Sequence, residues 1–297
     1  MKAAICTKYG PPEVIQIQEI SMPSVQDNEV LIKLHAATVT PGDCVIRSSK
    51  MLLMRLFFGI SKPRKQILGS ELSGTIEEVG SSVTKFKKGD EVFAYRGMKL
   101  GAHAEYISLA EHGALAIKPA VLTHEEAAAI AFGGTTALHF LRKGKVQAGI
   151  SVLINGASGS VGSSAVQLAK HFGAEVTAVC GSSNVDWVKT LGADHIIDYT
   201  KEDFTKSGKR YDLIFDAVGK SSKSASKAAL TANGKFISVK GGLARENLED
   251  LLLLKQLVET GAFKPVIDRS FPFEQIAGAH AYVEQGHKKG NVVITLN

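Results

Sequence analysis

The stretch Gly156-Ala157-Ser158-Gly159-Ser160-Val161-Gly162 is the part of this chain best suited to holding a ligand. It follows a short apolar run, Val152-Leu153-Ile154, of the kind that forms a strand buried on both faces. A helical pattern comes next, with Val161, Ala165, Leu168 and Ala169 on one face and Gly173 as a C-cap. Strand, glycine turn and helix in this order are how a Rossmann unit grips a pyrophosphate. Gly159 lets the backbone approach the phosphates, and Gly162 lets helix and strand pack closely. The helix N-terminus offers N–H groups and positive potential. Gly156, Ala157, Ser158, Gly159, Ser160 and Val161 are the candidate contacts. Other chemistries use related turns. Adenosylmethionine-dependent methyltransferases have a similar one, and Gly-x-Ser-x-Gly is the nucleophile elbow of α/β-hydrolases. Here Ser160 stands where the last glycine of the elbow belongs.

The end of the next strand bears on the cofactor. In a Rossmann unit that takes NAD, an acid roughly 20 residues beyond the glycines bonds the adenosine ribose. The strand Glu175 to Val179 ends instead in Cys180-Gly181-Ser182-Ser183-Asn184, with no Asp or Glu. A carboxylate there would repel a 2′-phosphate, whereas hydroxyl and amide donors accept one. The residue types favour NADPH over NADH and weaken the methyltransferase reading, which also wants an acid for its ribose. Ser-Ser-Asn also suits the cap of a following helix.

These residues need elements to position them. Up to about Pro119 the signals are those of short strands: Ala3 to Cys6, Val14 to Ile17, Val30 to Leu34, Leu72 to Val79, Glu91 to Tyr95, Ala104 to Ser108 and Leu115 to Ile117. Turn sequences such as Gly10-Pro11-Pro12 and Lys88-Gly89-Asp90 separate them, which predicts a compact, barrel-like β domain. Met51 to Ile60 is almost wholly apolar. It reads as a helix packed on that domain, as an apolar wall or lid over a substrate cleft, or as a membrane-surface segment. At Thr123, an N-cap followed by Glu125 and Glu126, the period becomes helical. One helix is expected to Ile130 and, after Gly133-Gly134, a second from Thr135 to Lys143. Strands and helices then alternate to Thr260, which predicts a parallel, doubly wound sheet. The tail returns to β-rich patterning around Val266-Ile267 and Val292 to Leu296, with a helix between.

The 297 residues are comfortable for two domains. The net charge of +6 comes from scattered lysines with no block of like charges. That favours an anionic small ligand over nucleic acid. Cys6, Cys44 and Cys180 are far apart and odd in number, which argues for a reducing compartment. No signal-peptide pattern opens the chain, and no apolar run reaches the roughly 18 residues of a membrane span. The expected location is the cytoplasm.

Taken together, the chain resembles the medium-chain dehydrogenase/reductase superfamily, specifically its zinc-free quinone oxidoreductase branch, over essentially its whole length. The resemblance rests on Gly69-Ser70-Glu71-Leu72-Ser73-Gly74, Phe86 to Val92 and Gly134-Thr135-Thr136-Ala137. It continues through the glycine turn, Leu191-Gly192-Ala193-Asp194 with Asp198-Tyr199, Phe215 to Gly219, Lys264 to Asp268 and Gly286 to Gly290. It implies an α/β protein with a GroES-like β-rich catalytic domain, 1–121 and 265–297, and a Rossmann NADPH-binding domain, 122–264. The nicotinamide of such proteins lies in the cleft between the domains. Carried over by motif, Thr136 contacts the nicotinamide end and Gly156 to Val161 the pyrophosphate. Ser182, Ser183 and Tyr199 hold the 2′-phosphate, and Val218 and Gly241 line the nicotinamide pocket.

Zinc-dependent relatives place a Cys and a Gly-His-Glu in the first domain and a four-cysteine lobe soon after. Here Thr40 and Ser70 stand at the Cys and His positions, and no cysteine lies between Val45 and Val179. The expectation is no metal. Without a Lewis acid, hydride addition suits quinones or α,β-unsaturated carbonyls, whose conjugation spreads the developing charge. Two departures from the family stand out. Its frequent Asn-Pro-x-Asp reads Thr40-Pro41-Gly42-Asp43, and no tyrosine follows before Gly69, so Thr40 is only a positional candidate for touching the substrate oxygen. The passage from Gly241-Gly242 to Asn247 is short where relatives insert an edge strand that often pairs two subunits, which puts the usual homodimer in doubt. The alternative function is a non-enzymatic NADPH-binding protein, crystallin-like or a scaffold.

Overall fold

A computed structural model describes residues 1–49, 55–56 and 58–296. In chain order the first elements are β1 (Lys2–Cys6), β2 (Ile15–Glu19), β3 (Glu29–Val39), α1 (Pro41–Ser48), β4 (Glu71–Val79), β5 (Glu91–Tyr95), β6 (Tyr106–Ala110) and β7 (Leu115–Ile117). The helix α2 (His124–Gly144) leads to β8 (Ser151–Asn155), α3 (Ser160–His171), β9 (Glu175–Cys180), α4 (Val185–Lys189) and β10 (His195–Asp198). Then follow β11 (Tyr211–Asp216), α5 (Lys223–Ser226), β12 (Leu230–Ser238) and α6 (Leu248–Glu259). The last elements are β13 (Ile267–Pro272), α7 (Ile276–Glu284) and β14 (Asn291–Thr295). The chain divides into two compact units. One comprises Met1–Phe132, Glu246–Lys255 and the chain from Ile267 onward; the other comprises Gly133–Arg245 and Gln256–Val266. No helix among the described residues is long and apolar enough to cross a membrane.

The first unit is β-rich. Its larger sheet runs β13-β14-β3-β4-β5-β7, with β6 also paired to β3. The long strand β3 is the pivot, because it pairs with β14, β4 and β6. Alternate residues of β3, Val30, Ile32 and Leu34, are buried in one cluster with Leu72, Ile76, Val92, Leu115 and Ile294. The return of β14 to β3 makes the C-terminal tail part of this core. α1 was not expected from periodicity, yet its start was encoded. Thr40 caps it, Pro41 occupies the first turn, and Asp43 completes a capping box. Arg47, on α1, is fully buried. It donates to the Gly10 carbonyl and pairs with Glu284 of α7 at 2.5 Å. Of the Met51 to Ile60 stretch, residues 51–54 and 57 lie outside the described residues. Arg55, Leu56 and Phe58 are helical, and Phe58 packs against Cys6, Val14, Ile46, Leu68 and Leu100.

The second unit is a five-stranded parallel sheet in the order β10-β9-β8-β11-β12. Sequential strands step one way from β8 through β9 to β10, then back across to β11 and β12. The order therefore reverses between β8 and β11, and ligands of such sheets bind beyond the carboxyl ends at that reversal. Among the described residues the sheet ends at β12, and the expected gap in the usual strand set is seen.

α2 corrects a sequence expectation. Gly133-Gly134 does not break it, and it runs unbroken from His124 to Gly144. Thr123 and Glu126 cap its start reciprocally, Glu126 N donating to Thr123 Oγ1 and Thr123 N to the Glu126 carboxylate. Gly133 is there for packing. A Cβ on it would lie 2.7 Å from the Ser160 carbonyl oxygen and 2.9 Å from Ser164 Oγ. The helix gives up some propensity to let α3 approach its backbone.

Candidate cofactor site

Every residue proposed from the sequence to touch the dinucleotide lies in the second unit. The structure gathers them into three groups. The first is the turn after β8. Gly156 has φ +81°, a conformation that side chains with a Cβ rarely adopt. A Cβ there would also sit 2.3 Å from Val218 Cγ1. Val218 follows β11, so this contact marks the reversal of strand order. The amides of Gly156 and Ala157 both donate to the Val179 carbonyl, which ties the turn to β9. Gly162 faces the Gly156 carbonyl so closely that a Cβ would be 2.1 Å from its oxygen. Gly159 differs from both. Its backbone is extended, at φ −81° and ψ 173°, and a Cβ would meet only the Gly156 oxygen, at 3.7 Å. The space in front of Gly159 is open. Gly159 is also the N-cap of α3 and has no side chain to cap it. Backbone N–H groups of a first helical turn lack intrahelical acceptors. A rigid turn with open space before an uncapped helix suits a pyrophosphate.

Ser158 is half-buried in the same turn. Among the described residues it bonds no histidine or carboxylate through its side chain. The partnership that a hydrolase nucleophile needs is not assembled there.

The second group surrounds the end of β9. Ser182, Ser183 and Asn184 form a single turn of 3-10 helix. Tyr199 lies over Gly181, its hydroxyl 3.3 Å from where a Gly181 Cβ would be, and is 63% exposed. Asp198, at the end of β10, was not singled out from the sequence, although Asp198-Tyr199 was recognised as a motif. Its carboxylate accepts from Ser182 Oγ at 2.5 Å and from Thr200 Oγ1 at 2.7 Å. It also accepts from Thr200 N at 3.0 Å and lies 3.2 Å from Lys201 Nζ. These bonds, the Ser182 hydroxyl foremost, hold Asp198 far below the usual carboxylate range.

The third group is at the nicotinamide end. Thr136, buried on α2, has a hydroxyl with no hydrogen-bond partner among the described residues. Gly241 is exposed, and its carbonyl accepts from Lys143 Nζ at 3.3 Å. Val218 is held by Asp216, a fully buried acid also missed as an individual residue. Asp216 accepts from Asn155 Nδ2, Val218 N and Gly219 N on one oxygen, and from Ser221 N and Ser238 Oγ on the other. One carboxylate thereby fixes the ends of β8, β11 and β12. An unsatisfied interior hydroxyl, an open glycine and an uncapped helix all fit a dinucleotide.

The first unit contains the positions where zinc-dependent relatives carry ligands. Thr40 is occupied as a cap: its hydroxyl donates to Asp43 Oδ2 at 2.6 Å and accepts from Asp43 N at 3.2 Å. Its proton is directed at Asp43, away from any role toward a substrate. Ser70 is buried beside Glu71. Burial pushes Glu71 up to about 7, although it accepts from the Thr38 hydroxyl and Phe132 N. Among the described residues no group of three or more His, Cys, Asp or Glu is placed to hold a metal ion. Neutral hydroxyls, one of them spent on a cap, do not match the nitrogen and sulfur set that zinc takes.

Comparison with known proteins bears on the fold and the family. Residues 26–120 match the family profile described as the alcohol dehydrogenase GroES-like domain. Residues 160–263 match that of a zinc-binding dehydrogenase, and a second profile of that description matches 242–294. An NADPH-dependent alkenal/one oxidoreductase of Arabidopsis thaliana chloroplasts is 34% identical over 314 residues, covering 99% of this chain and 79% of the relative. A quinone oxidoreductase from Coxiella burnetii has a similar structure, with TM-score 0.86 and 28% identity, covering 100% of this chain and 99% of that one. An NAD-dependent alcohol dehydrogenase matches at TM-score 0.86 and 28% identity, with 100% of both chains covered.

Proposed function

The chain belongs to the medium-chain dehydrogenase/reductase superfamily, in its quinone oxidoreductase branch. From that premise we propose that this oxidoreductase reduces quinones or α,β-unsaturated carbonyls with NADPH and without a metal. One observation carries the reading. Gly156 and Gly162 are sterically required by the fold, while Gly159 between them is free to take a side chain and has none. That pattern is what a bound phosphate, rather than packing, demands of a turn.

The nicotinamide, when bound, supplies a hydride to an electrophilic carbon of the acceptor. The chain's own residues orient it. The 156–161 turn lets the pyrophosphate approach the start of α3, whose first backbone N–H groups would hold it, while the amides of Gly156, Ala157 and Gly159 are spent within the fold. Thr136 donates its unpartnered hydroxyl to the nicotinamide end, and Val218, fixed by Asp216, and Gly241 border the ring. Ser182, Ser183 and Tyr199 flank the adenosine 2′ position. The absence of a carboxylate at the end of β9 supports NADPH as the partner. The alkenal/one oxidoreductase and the quinone oxidoreductase support a conjugated acceptor. The residues at the zinc positions support a metal-free reaction.

The test is titration of the purified chain with NADPH and NADH, followed by NADPH oxidation against a panel of quinones, enones and simple ketones. Turnover with quinones or enones, retained after exhaustive chelation, is expected. Tight NADPH binding with no turnover on any acceptor would sink the catalytic reading and favour a non-enzymatic binder.

A further inference from the structure

We propose that Asp198 limits how strongly the site discriminates for a 2′-phosphorylated dinucleotide, by keeping the Ser182 hydroxyl proton for itself. The inference rests on the dinucleotide reading above and concerns a residue that reading leaves without a role.

The end of β9 has no acid, but the fold brings one there from the neighbouring strand. β10 pairs with β9 in parallel, with Asp198 opposite Cys180. This register places the Asp198 carboxylate beneath the Ser182 turn, 2.5 Å from Ser182 Oγ. A serine hydroxyl has a single proton to give. A bond to a buried anion is charge-assisted, about twice as strong as a neutral one, so the proton is directed at Asp198. Thr200 is committed in the same way, its hydroxyl 2.7 Å from the other carboxylate oxygen. Ser182 Oγ and Thr200 Oγ1 also share a hydrogen bond at 2.9 Å, so both protons are spent inside this cluster with Asp198 and lone pairs face anything approaching from outside.

Lone pairs accept from the 2′-hydroxyl of NADH and oppose the oxygens of a 2′-phosphate. The carboxylate behind them adds like charge. Lys201, 3.2 Å from Asp198, offsets part of it, and by pairing inward withholds some of its attraction from the ligand. Among the residues assigned to the 2′-phosphate from the sequence, the donors left are the exposed Ser183 and the hydroxyl of Tyr199, beside Gly181. Asp198 acts in effect as the ribose acid that β9 lacks, working through Ser182.

Asp198→Asn reverses the polarity of this relay while keeping its shape. The amide oxygen still accepts from Thr200, and the amide N–H donates to Ser182 Oγ, which turns the Ser182 proton outward. Affinities of the full chain for NADPH, NADH, 2′,5′-ADP and 5′-AMP, measured by calorimetry, read the effect without turnover. Asp198→Asn is expected to raise the NADPH-to-NADH affinity ratio about tenfold, the scale of one charge-assisted bond gained and one like charge lost. The 2′,5′-ADP-to-5′-AMP ratio should move with it. Ser182→Ala alone should not lower the ratio, because its proton is not available to the phosphate, and should raise it as far as its lone pairs favour the 2′-hydroxyl of NADH. In the Asp198→Asn background the same change should cancel the gain.

An unaltered ratio in Asp198→Asn, with both dinucleotides still bound, overturns the inference and leaves the cofactor site standing. So does a tenfold fall in the ratio on Ser182→Ala alone, a measurement that decides the matter even if the Asp198 variant does not fold. Failure of the unaltered chain to bind either dinucleotide would remove the site and the inference together.

Discussion

Thr136 keeps a hydroxyl in the interior with nothing to bond among the described residues, and folding alone has no use for it. A buried hydroxyl without a partner costs about 1–3 kcal/mol relative to one that is satisfied. Replacing Thr136 with Val retains the branched shape and removes the penalty. Free Thr136→Val protein should therefore unfold at a higher temperature than the unaltered chain, by the equivalent of about 1 kcal/mol. If the hydroxyl is kept for the nicotinamide end, the same variant should bind NADPH about tenfold more weakly. Thermal unfolding with and without NADPH measures both. A variant that is stabilised and binds as well as before would reduce Thr136 to a packing residue. Asp216 shows the opposite economy. Its oxygens are fully used inside the protein, which is why no ligand role needs to be found for them.

At the level of elements, the turn between β8 and α3 separates packing from binding, because its glycines do different jobs. Gly162→Ala forces a Cβ to within 2.1 Å of the Gly156 carbonyl oxygen, so α3 must move off β8. A loss of about 2–3 kcal/mol in stability is expected, and weak dinucleotide binding with it. Gly159→Ala meets only the Gly156 oxygen at 3.7 Å. Its stability should stay within about 0.5 kcal/mol of the unaltered chain, while NADPH affinity falls at least about tenfold. Equal loss of affinity without loss of stability in both variants would contradict the geometry, as would an unfolded Gly159→Ala. These elements were legible in the sequence because strand, turn and helix each carried a local signal. α1 was written just as locally, in Thr40, Pro41 and Asp43, but those residues also matched a family motif and drew attention as chemistry. The continuity of α2 was not legible. Gly133-Gly134 breaks helices on propensity, and the carbonyl of Ser160 that rewards a glycine there lies on another helix. Asp198 was hidden for the same reason, since its target Ser182 is reached only through the β9–β10 register.

For the molecule as a whole, acid should act on the first unit through His280. His280 on α7 is fully buried, and among the described residues its Nε2 has no hydrogen-bond partner. Its Nδ1 faces Cys44 Sγ at 3.6 Å, and the His103 ring stands edge-on at 5.6 Å. Burial first, then the electrostatic influence of His103 and Arg47, depresses His280 well below the ordinary histidine value. In the unfolded chain it takes up a proton at about pH 6.5. Below that value the unfolded state binds the extra proton and the folded state does not, so stability falls as pH drops; above it the residue contributes no slope. At about pH 5.5 the loss from this residue is about 1 kcal/mol. His35 and His124, also depressed by burial, add losses in the same range, and Glu71, raised to about 7, opposes them, so the contrast must be with a variant. His280→Gln keeps a polar side chain that cannot titrate. Denaturant unfolding at about pH 7.5 and about pH 5.5 should show a drop smaller in His280→Gln than in the unaltered chain, by about 1 kcal/mol. An acid-side loss of the same size in both proteins would mean that His280 takes its proton without leaving its pocket, with Cys44 or a bound water accepting the new N–H.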